Sequence, residues 1–275
     1  DFTRRYLHHK KLEKQTSEIA VTMNKLSLPR GQMETDYQKM LRSLYITLQQ
    51  QINELENGQV EQAEYFTMWV HQIKTPIAAL RLLLAEEEDE RSQEMWEELF
   101  SIEQYVEMAL QFSRLSAKST DFVIGEVSLD KVVREAIHKY ARLFVRKKIK
   151  MELSSIDTQV LTDEKWLEFV IEQILSNAIK YTAGGTISVY LKEEPEQETK
   201  ELVIEDTGIG IAPEDLPRIF EKGYTGYNGH ADKRSTGIGL YLCRKIMRKL
   251  SHEITIESEI GVGTKVHLEM RSRDK

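Results

Sequence analysis

Cysteine, proline and long hydrophobic runs are all scarce in this chain of 275 residues. Cys243 is the only cysteine, so no disulfide can form within the chain and nothing points to an oxidising compartment. No run approaches the roughly 20 apolar residues that cross a bilayer, and no basic-then-apolar signal segment opens the sequence. We therefore expect the chain as given to be soluble and exposed to the cytosol.

Positive charge is also in short supply. Against 45 Asp and Glu there are 38 Lys and Arg, which gives a formal net charge of -7. This balance argues against non-specific binding to nucleic acid, so we expect no nucleic-acid partner. Apolar residues make up 40 % of the chain, which is enough for at least one sizeable core in one or two domains.

The N-terminal residues carry a local excess of basic side chains. Four of them fall between Arg4 and Lys11, and the chain starts at Asp1 without methionine. Such a stretch would suit the cytoplasmic edge of a membrane span that lies outside this chain, although a solvated helix start explains the charges equally well. We expect residues 1–59 to form a membrane-proximal helical connector at the cytoplasmic face of the cell membrane.

Residues 60–119 predict an antiparallel helical hairpin. Apolar residues recur with alternating spacings of four and three in two segments, after an interruption of the helix at Asn57 and Gly58 and on either side of an acidic turn at 86–90. The first seam contains Phe66, Val70, Ile73, Ile77, Leu80 and Leu84, and the second contains Met95, Leu99, Ile102, Val106, Ala109 and Ser113. Because two helices cannot enclose both seams, we expect a four-helix bundle built from two chains, and hence a homodimer.

Residues 120–275 predict an α/β sandwich in which helices cover one face of a mixed sheet, so that the whole chain is of the α+β class. Strands are expected at 122–127, 148–153, 186–191, 202–206, 253–257 and 265–270, and helices at 128–145, 163–181 and 237–250.

Two glycine motifs in this second half suit a ligand. In DTGIG at 206–210 a strand runs into glycines, and in TGIGL at 236–240 the glycines lead into a helix. An aspartate at a strand end can accept a hydrogen bond from an exocyclic amine beside a glycine backbone, and the free N–H groups of a helix start suit phosphate. The candidate ligand contacts are Asp206, Gly208, Gly210, Gly237, Gly239 and Leu240. Each motif alone also fits an ordinary turn or loop.

The predicted helix at 163–181 adds a third set of candidates. Asn177 offers a neutral oxygen for Mg²⁺, Lys180 a charge for phosphate and Tyr181 a flat surface for a base. One turn earlier, Gln173 carries another amide oxygen, and Glu172 could serve as a base or as a water-mediated partner of the metal. Taken singly, each of these is also a common surface or core residue.

His71 differs from the other histidines in its context. It follows the seam residue Val70, so its side chain is displaced from the buried stripe and can project to solvent. A neutral imidazole is nucleophilic near pH 7 and can take a phosphoryl group on nitrogen. An isolated histidine on a helix is more often structural, so this interpretation depends on the neighbouring residues.

Together and in this order, the three sets resemble the N, G1 and G2 boxes of the ATP-binding domain shared by histidine kinases, Hsp90, gyrase and MutL. The segment 216–224 resembles the F box of histidine kinases and adds Phe220 and Lys222. The resemblance implies ATP and Mg²⁺ as cofactors, with Asn177 and Gln173 at the metal, and a lid at 223–236 whose candidate phosphate contacts are Lys233 and Arg234. Many relatives have asparagine where this chain has Gln173, which implies weaker or rearranged metal ligation.

The sequence WVHQIKTP at 69–76 resembles the H box of sensor histidine kinases, and especially that of the bacitracin-sensing kinases of Firmicutes. The resemblance implies that His71, Gln72 and Thr75 form the catalytic turn, that Thr75 positions a water for dephosphorylation, and that Pro76 bends the helix. Gln72 replaces the acid that usually takes the proton of the acceptor imidazole, and glutamine cannot take that proton.

The resemblance implies a sensor histidine kinase that serves antimicrobial-peptide or cell-envelope stress signalling. Its partners would be a response regulator, a second copy of the chain and an ABC transporter permease in the membrane. Two alternatives stay open. One is a dimer that hydrolyses ATP without a phosphohistidine, as Hsp90-like proteins do, although His71 on a hairpin counts against it. The other, motivated by Gln72 and Gln173, is a module without autokinase activity that acts as a response-regulator phosphatase or scaffold.

Overall fold

The computed structural model describes residues 28–29, 31–85, 89–116, 122–192, 199–226 and 236–271, together with six isolated positions before residue 14. Two compact units are distinguished, residues 1–68 and residues 69–275. No helix in these described ranges is long and apolar enough to span a membrane. The predicted connector covers residues 1–59, and most of its part before residue 31 lies outside the described residues.

The described ranges contain helices and strands in the following order. The helices are α1 (Gln32–Ala85), α2 (Glu90–Ser116), α3 (Leu129–Lys139), α4 (Ala141–Arg146), α5 (Glu164–Tyr181) and α6 (Gly239–Lys249). The strands are β1 (Gly125–Ser128), β2 (Lys150–Leu153), β3 (Gln159–Thr162), β4 (Thr186–Lys192), β5 (Thr199–Asp206), β6 (Glu253–Glu259) and β7 (Gly263–Arg271).

Helix α1 is continuous over 54 residues. The expected interruption at Asn57 and Gly58 is wrong, because the helix runs through both residues. One glycine inside a helix costs only about 1 kcal/mol relative to alanine, and the regular turns on either side outweigh that cost. Pro76 lies inside the same helix, as the resemblance implies.

Residues 69–85 of α1 pack against α2 as the expected antiparallel hairpin. The small core between them contains Val70, Ile77, Leu99, Val106 and Leu110, with Trp69, Ile73 and Leu84 beside it. Among the described residues, two ion pairs cross the hairpin: Lys74 Nζ lies 2.9 Å from Glu107 Oε2, and Arg81 contacts Glu103. Three predicted seam residues stay between 43 % and 50 % exposed in the single chain, namely Leu80, Met95 and Ile102. Residues 86–88 of the predicted turn lie outside the described part.

A mixed sheet of five strands forms the centre of the following domain. Its strand order is β2-β4-β5-β7-β6, in which β2 and β4 are parallel and the other neighbours are antiparallel. Buried side chains of α3, α5 and α6 join those of β4, β5 and β7 in one core. The expected sandwich of helices on one face of a mixed sheet is therefore confirmed.

Two local features of this domain differ from the prediction. The sequence pattern does not predict β3, which has only four residues and pairs with β1 in a separate antiparallel sheet. The helix expected at 128–145 is two helices, α3 and α4, because the backbone at Tyr140 leaves helical geometry (φ -97°, ψ 5°). The Tyr140 ring is buried in the core, so packing of this side chain accompanies the break.

The hairpin contributes directly to the core of the sandwich. Phe100 and Leu115 of α2 are buried in that core. The Phe100 ring stacks on Trp96 with centroids 5.2 Å apart and meets Tyr140 edge-on at 5.4 Å. Helix α2 is thus packed against the sandwich as well as against α1.

Helix α6 places the single cysteine inside this core. The Cys243 side chain is completely buried, and burial raises the pKa of its thiol to about 12. The thiol therefore stays protonated and behaves as a small apolar group.

Candidate active site

A cavity of about 430 Å³ lies between the ends of β5, α5 and α6 and the side of α2. Nine of the residues predicted to hold nucleotide or metal line it: Gln173, Asn177, Lys180, Tyr181, Asp206, Gly210, Gly237, Gly239 and Leu240. The three sequence motifs, which are up to 67 residues apart in the chain, therefore meet at one site.

Asp206 supplies the buried charge of the cavity. Its Oδ1 accepts a hydrogen bond of 2.8 Å from the backbone N–H of Gly208. Burial raises the pKa of Asp206 to about 6, against the opposing effect of backbone N–H groups at Gly208 and Thr264. Gly208 does not line the cavity, but it holds this carboxylate in place. A fixed carboxylate of this kind can recognise an amino group of a bound base.

Gly210 lets the loop after β5 lie close to the backbone at the end of β6. Its φ is +72°, and a Cβ at this position would collide with the carbonyl oxygen of Glu259. Only glycine satisfies both conditions without strain. The loop after β5 is therefore held against the end of β6, and Gly210 itself lines the cavity.

The N-terminal end of α6 forms part of the cavity wall. Gly237 has a φ of +63° just before the helix, which begins at Gly239. A Cβ at Gly239 would lie 2.8 Å from Gln173 Oε1, so the Gln173 amide lies directly under the first turn of α6. The first N–H groups of a helix have no partners within it and attract phosphate.

Helix α5 presents its last turn to the same cavity. Lys180 Nζ lies 5.3 Å from the centre of the Tyr181 ring. The carbonyl oxygen of Tyr181 accepts a hydrogen bond from the Ile209 N–H at 3.2 Å, and Lys147 Nζ donates to the carbonyl oxygen of Ile179 at 2.7 Å. These contacts join the end of α5 to the glycine loop and fix the positions of its side chains.

Glu172 faces away from the cavity. Both of its carboxylate oxygens accept hydrogen bonds from Lys139 Nζ, at 2.7 and 2.6 Å. Burial raises the pKa of Glu172, while the nearby Lys139 charge opposes that shift. The suggestion that Glu172 acts as a base or metal partner is not supported by this position, because the carboxylate is already engaged by Lys139.

Phe220 and Lys222 also lie away from the cavity wall. The Phe220 ring packs against the core, with the Arg244 guanidinium carbon 5.1 Å from its centre. Lys222 Nζ lies 4.8 Å from the centre of the Phe112 ring on α2. Lys233 and Arg234, the other candidate phosphate contacts, lie outside the described residues, as does most of the predicted lid.

Helix α2 forms a wall of the cavity that the sequence did not predict. Gln104, Tyr105 and Met108 line it. Gln104 Oε1 accepts a hydrogen bond of 3.0 Å from the hydroxyl of Tyr140, and the Thr236 hydroxyl contacts Met108 Sδ at 3.4 Å. Thr236 and Met108 are 128 residues apart, so no local pattern could have indicated this contact.

The candidate acceptor turn lies on α1 and does not line the cavity. His71 and Gln72 are exposed, whereas the preceding Val70 is buried between the helices. The Thr75 hydroxyl donates to the carbonyl oxygen of His71 at 3.4 Å. The displacement of His71 from the buried stripe is therefore confirmed.

Comparison with known proteins identifies the domain around the cavity. Residues 162–274 match the family described as "Histidine kinase-, DNA gyrase B-, and HSP90-like ATPase". The fold resembles full-length ShkA in complex with AMPPNP (TM-score 0.56, 20 % identity, 78 % of this chain and 47 % of that one) and the Acinetobacter baumannii histidine kinase AdeS (TM-score 0.50, 20 % identity, 74 % and 98 %). The domain at 162–274 is thus an ATP-binding domain of this type.

Three curated relatives extend the similarity into the hairpin. The chain is 35 % identical to the Bacillus subtilis sensor histidine kinase YxdK, over 84 % of this chain and 71 % of the relative. It is 36 % identical to the B. subtilis sensor protein BceS (71 % and 58 %) and 35 % identical to the Staphylococcus aureus sensor protein kinase GraS (74 % and 58 %). The chain thus spans between 58 % and 71 % of the length of these relatives. It belongs to the sensor histidine kinases, in the group that includes YxdK, BceS and GraS.

Proposed function

We propose that this chain transfers the γ-phosphoryl group of ATP to His71 and then to an aspartate of a response regulator. Two features carry the proposal. A single cavity is lined by both a buried carboxylate and a helix N-terminus, and the attached hairpin carries an exposed histidine. A response regulator is the partner that membership of the sensor kinases implies.

Different parts of the cavity lining suit the two ends of the nucleotide. The carboxylate of Asp206 would accept a hydrogen bond from the adenine amino group, beside the backbone of Gly210. The phosphates would lie at the first turn of α6, near Gly237 and Gly239. Lys180 would add a positive charge on that side.

The chain also offers neutral oxygens for a magnesium ion near the phosphates. The amides of Asn177 and Gln173 both line the cavity, and Gln173 Oε1 lies under the first turn of α6. Mg²⁺ keeps several waters and substrate oxygens in its shell, so a few protein ligands of this kind fit it. When bound, the ion would neutralise charge on the phosphate oxygens.

His71 would act as the nucleophile. A lone pair on its imidazole forms the N–P bond while the bond between the γ-phosphorus and the bridging oxygen breaks, and ADP leaves with that electron pair. The ring N–H proton passes to solvent, because Gln72 cannot accept it and the ring is exposed. Thr75 would release its bond to the His71 carbonyl to position a water for dephosphorylation.

A second copy of the chain would complete the hairpin. Leu80, Met95 and Ile102 keep about half of their surface exposed along one edge. Helices in water bury such a stripe, and pairing with an identical hairpin gives a four-helix bundle. We propose residues 60–119 as this dimerisation and phosphotransfer segment, 1–59 as the connector and 120–275 as the catalytic domain.

The likeness to BceS and GraS suggests the biological setting. We propose that the chain is the part of a membrane sensor that lies at the cytoplasmic face, and that it serves antimicrobial-peptide or cell-envelope stress signalling. An ABC transporter permease in the same membrane would then supply the signal.

A second candidate function is favoured by the two glutamines. Gln72 removes the usual proton acceptor, and Gln173 replaces an asparagine at the metal. A chain that binds ATP but acts only as a response-regulator phosphatase or scaffold would show ATP affinity without a phosphohistidine.

Incubation with γ-labelled ATP separates these functions. We expect an acid-labile label on the protein, its loss in His71→Gln, and its transfer to the response regulator. His138→Gln is the matched control, since this histidine lies on α3 in the sandwich, and it should keep the label. Label that survived His71→Gln would remove His71 as acceptor, and ATP binding without label in the wild type would favour the second candidate.

A further inference from the structure

Lys74 shares one edge of the hairpin with His71. Val70 and Ile77 point into the core between the helices, which fixes the orientation of this part of α1. Lys74 follows His71 by three residues, so the two side chains lie about 60° apart around the helix and about 4.5 Å apart along it. A cation on Lys74 is therefore within side-chain reach of a group on His71.

Glu107 holds the Lys74 ammonium in the structure. The distance from Lys74 Nζ to Glu107 Oε2 is 2.9 Å, and the other oxygen, Oε1, accepts a hydrogen bond of 2.7 Å from Gln111 Nε2. Although burial opposes it, the hydrogen bonds from Lys74 and Gln111 lower the pKa of Glu107. The carboxylate thus keeps one partner if Lys74 moves away.

The Lys74 side chain can make that movement. It is 56 % exposed, compared with 25 % for Glu107, and an ammonium group has three donors of which this carboxylate uses one. A phosphoryl group on His71 would bring two further negative charges to an exposed helix, where a neighbouring cation stabilises them.

We propose that Lys74 is a positioning residue for phosphoryl transfer, held by Glu107 at rest and passing to the phosphoryl group at His71. This inference rests on the proposed function of His71. Lys74 forms no covalent bond in the reaction. Its ammonium donates hydrogen bonds to the phosphoryl oxygens as the N–P bond forms. These bonds stabilise the phosphorylated His71 from which the response regulator receives the group.

The ion pair of Arg81 and Glu103 provides a control for a purely structural role of Lys74. Arg81 and Glu103 cross the hairpin in the same way as Lys74 and Glu107. Arg81 follows His71 by ten residues, about 15 Å along the helix axis, which is too far for contact with a group on His71. A purely structural role would make the two pairs equivalent.

The test measures the initial rate of autophosphorylation and the ATP KM of the full chain. We expect Lys74→Met to lower kcat roughly tenfold with little change in KM, because the variant loses one charge-assisted hydrogen bond. Lys74→Arg should restore most of the rate. Glu107→Gln frees the Lys74 cation from its resting partner, so it should keep or raise kcat. Arg81→Met should leave kcat near the wild-type value.

The outcomes separate this inference from the proposed function. Equal losses in Lys74→Met and Glu107→Gln would show a structural ion pair and overturn the role of Lys74, as would a wild-type rate in Lys74→Met. A wild-type chain without acid-labile label, or label retained in His71→Gln, would instead contradict the proposed function. ADP affinity and the unfolding midpoint of each variant show whether the fold is intact.

Discussion

At the scale of single residues, Asp206 is a carboxylate placed where burial disfavours its charge. Its pKa is raised to about 6, even though two backbone N–H groups favour the ionised form. In the proposed complex the ionised carboxylate accepts a hydrogen bond from the base, so nucleotide binding must be linked to loss of this proton.

The pH dependence of ADP affinity tests that linkage. Below about pH 6 the carboxyl of the free site is protonated, and binding must remove the proton, so affinity should fall as pH drops, by up to roughly tenfold per pH unit. Above that pH, affinity should level off. Asp206→Asn should weaken ADP binding roughly 10- to 100-fold. In this variant the additional fall in affinity below about pH 6 should also disappear.

Glu253→Gln is the control for this measurement, because Glu253 is exposed at the start of β6 and does not line the cavity. Titration of the phosphates of ADP affects all three proteins alike. If Asp206→Asn and the wild type changed in parallel with pH, Asp206 would not be the group that recognises the base.

At the scale of helices and strands, the long periodic elements were predictable and the short or long-range ones were not. The prediction located α5, α6 and the five strands of the main sheet to within a few residues, because each has a regular apolar pattern. It missed β3, which is too short to show a period, and the division at Tyr140, which depends on tertiary packing.

The site followed the same rule. Nine of its predicted residues meet at the cavity because each local motif brings several of them together. The positions of Phe220 and Lys222, and the wall that α2 provides, depend on contacts between distant segments. No sequence pattern links the hairpin to the sandwich, so the contact between Met108 and Thr236 could not be predicted.

Phe100 tests the packing of α2 on the sandwich. We expect Phe100→Ala to lower the free energy of unfolding by about 3–5 kcal/mol, because it removes a buried ring from the core. Leu83→Ala, at a residue 68 % exposed on α1, should change it by less than about 0.5 kcal/mol. Denaturant titration followed by tryptophan fluorescence measures both. If Phe100→Ala changed the free energy of unfolding as little as Leu83→Ala, the packing of α2 on the sandwich would not depend on this ring.

At the scale of the whole molecule, the unpaired hairpin edge predicts association. Ile102 is 48 % exposed on α2 and was expected in the seam. We expect the wild type to sediment as a dimer at micromolar concentration and Ile102→Glu to shift it towards monomer, since a buried unpaired charge opposes pairing.

Val262→Glu is the matched substitution for this experiment. Val262 is 61 % exposed in the turn between β6 and β7, and its replacement should leave the dimer intact. Light scattering gives an independent molar mass. A monomeric wild-type chain would contradict the four-helix bundle.

The buried thiol of Cys243 has a practical consequence for following this molecule over time. With its pKa at about 12 and no exposed surface, the only sulfhydryl of the chain is silent towards alkylating reagents while the ATP-binding domain stays closed. The rate at which it is modified then reports how often α6 opens. Nucleotide that binds only the closed domain would slow that rate in proportion to its occupancy, so this native sulfur reports ligand binding without an engineered cysteine.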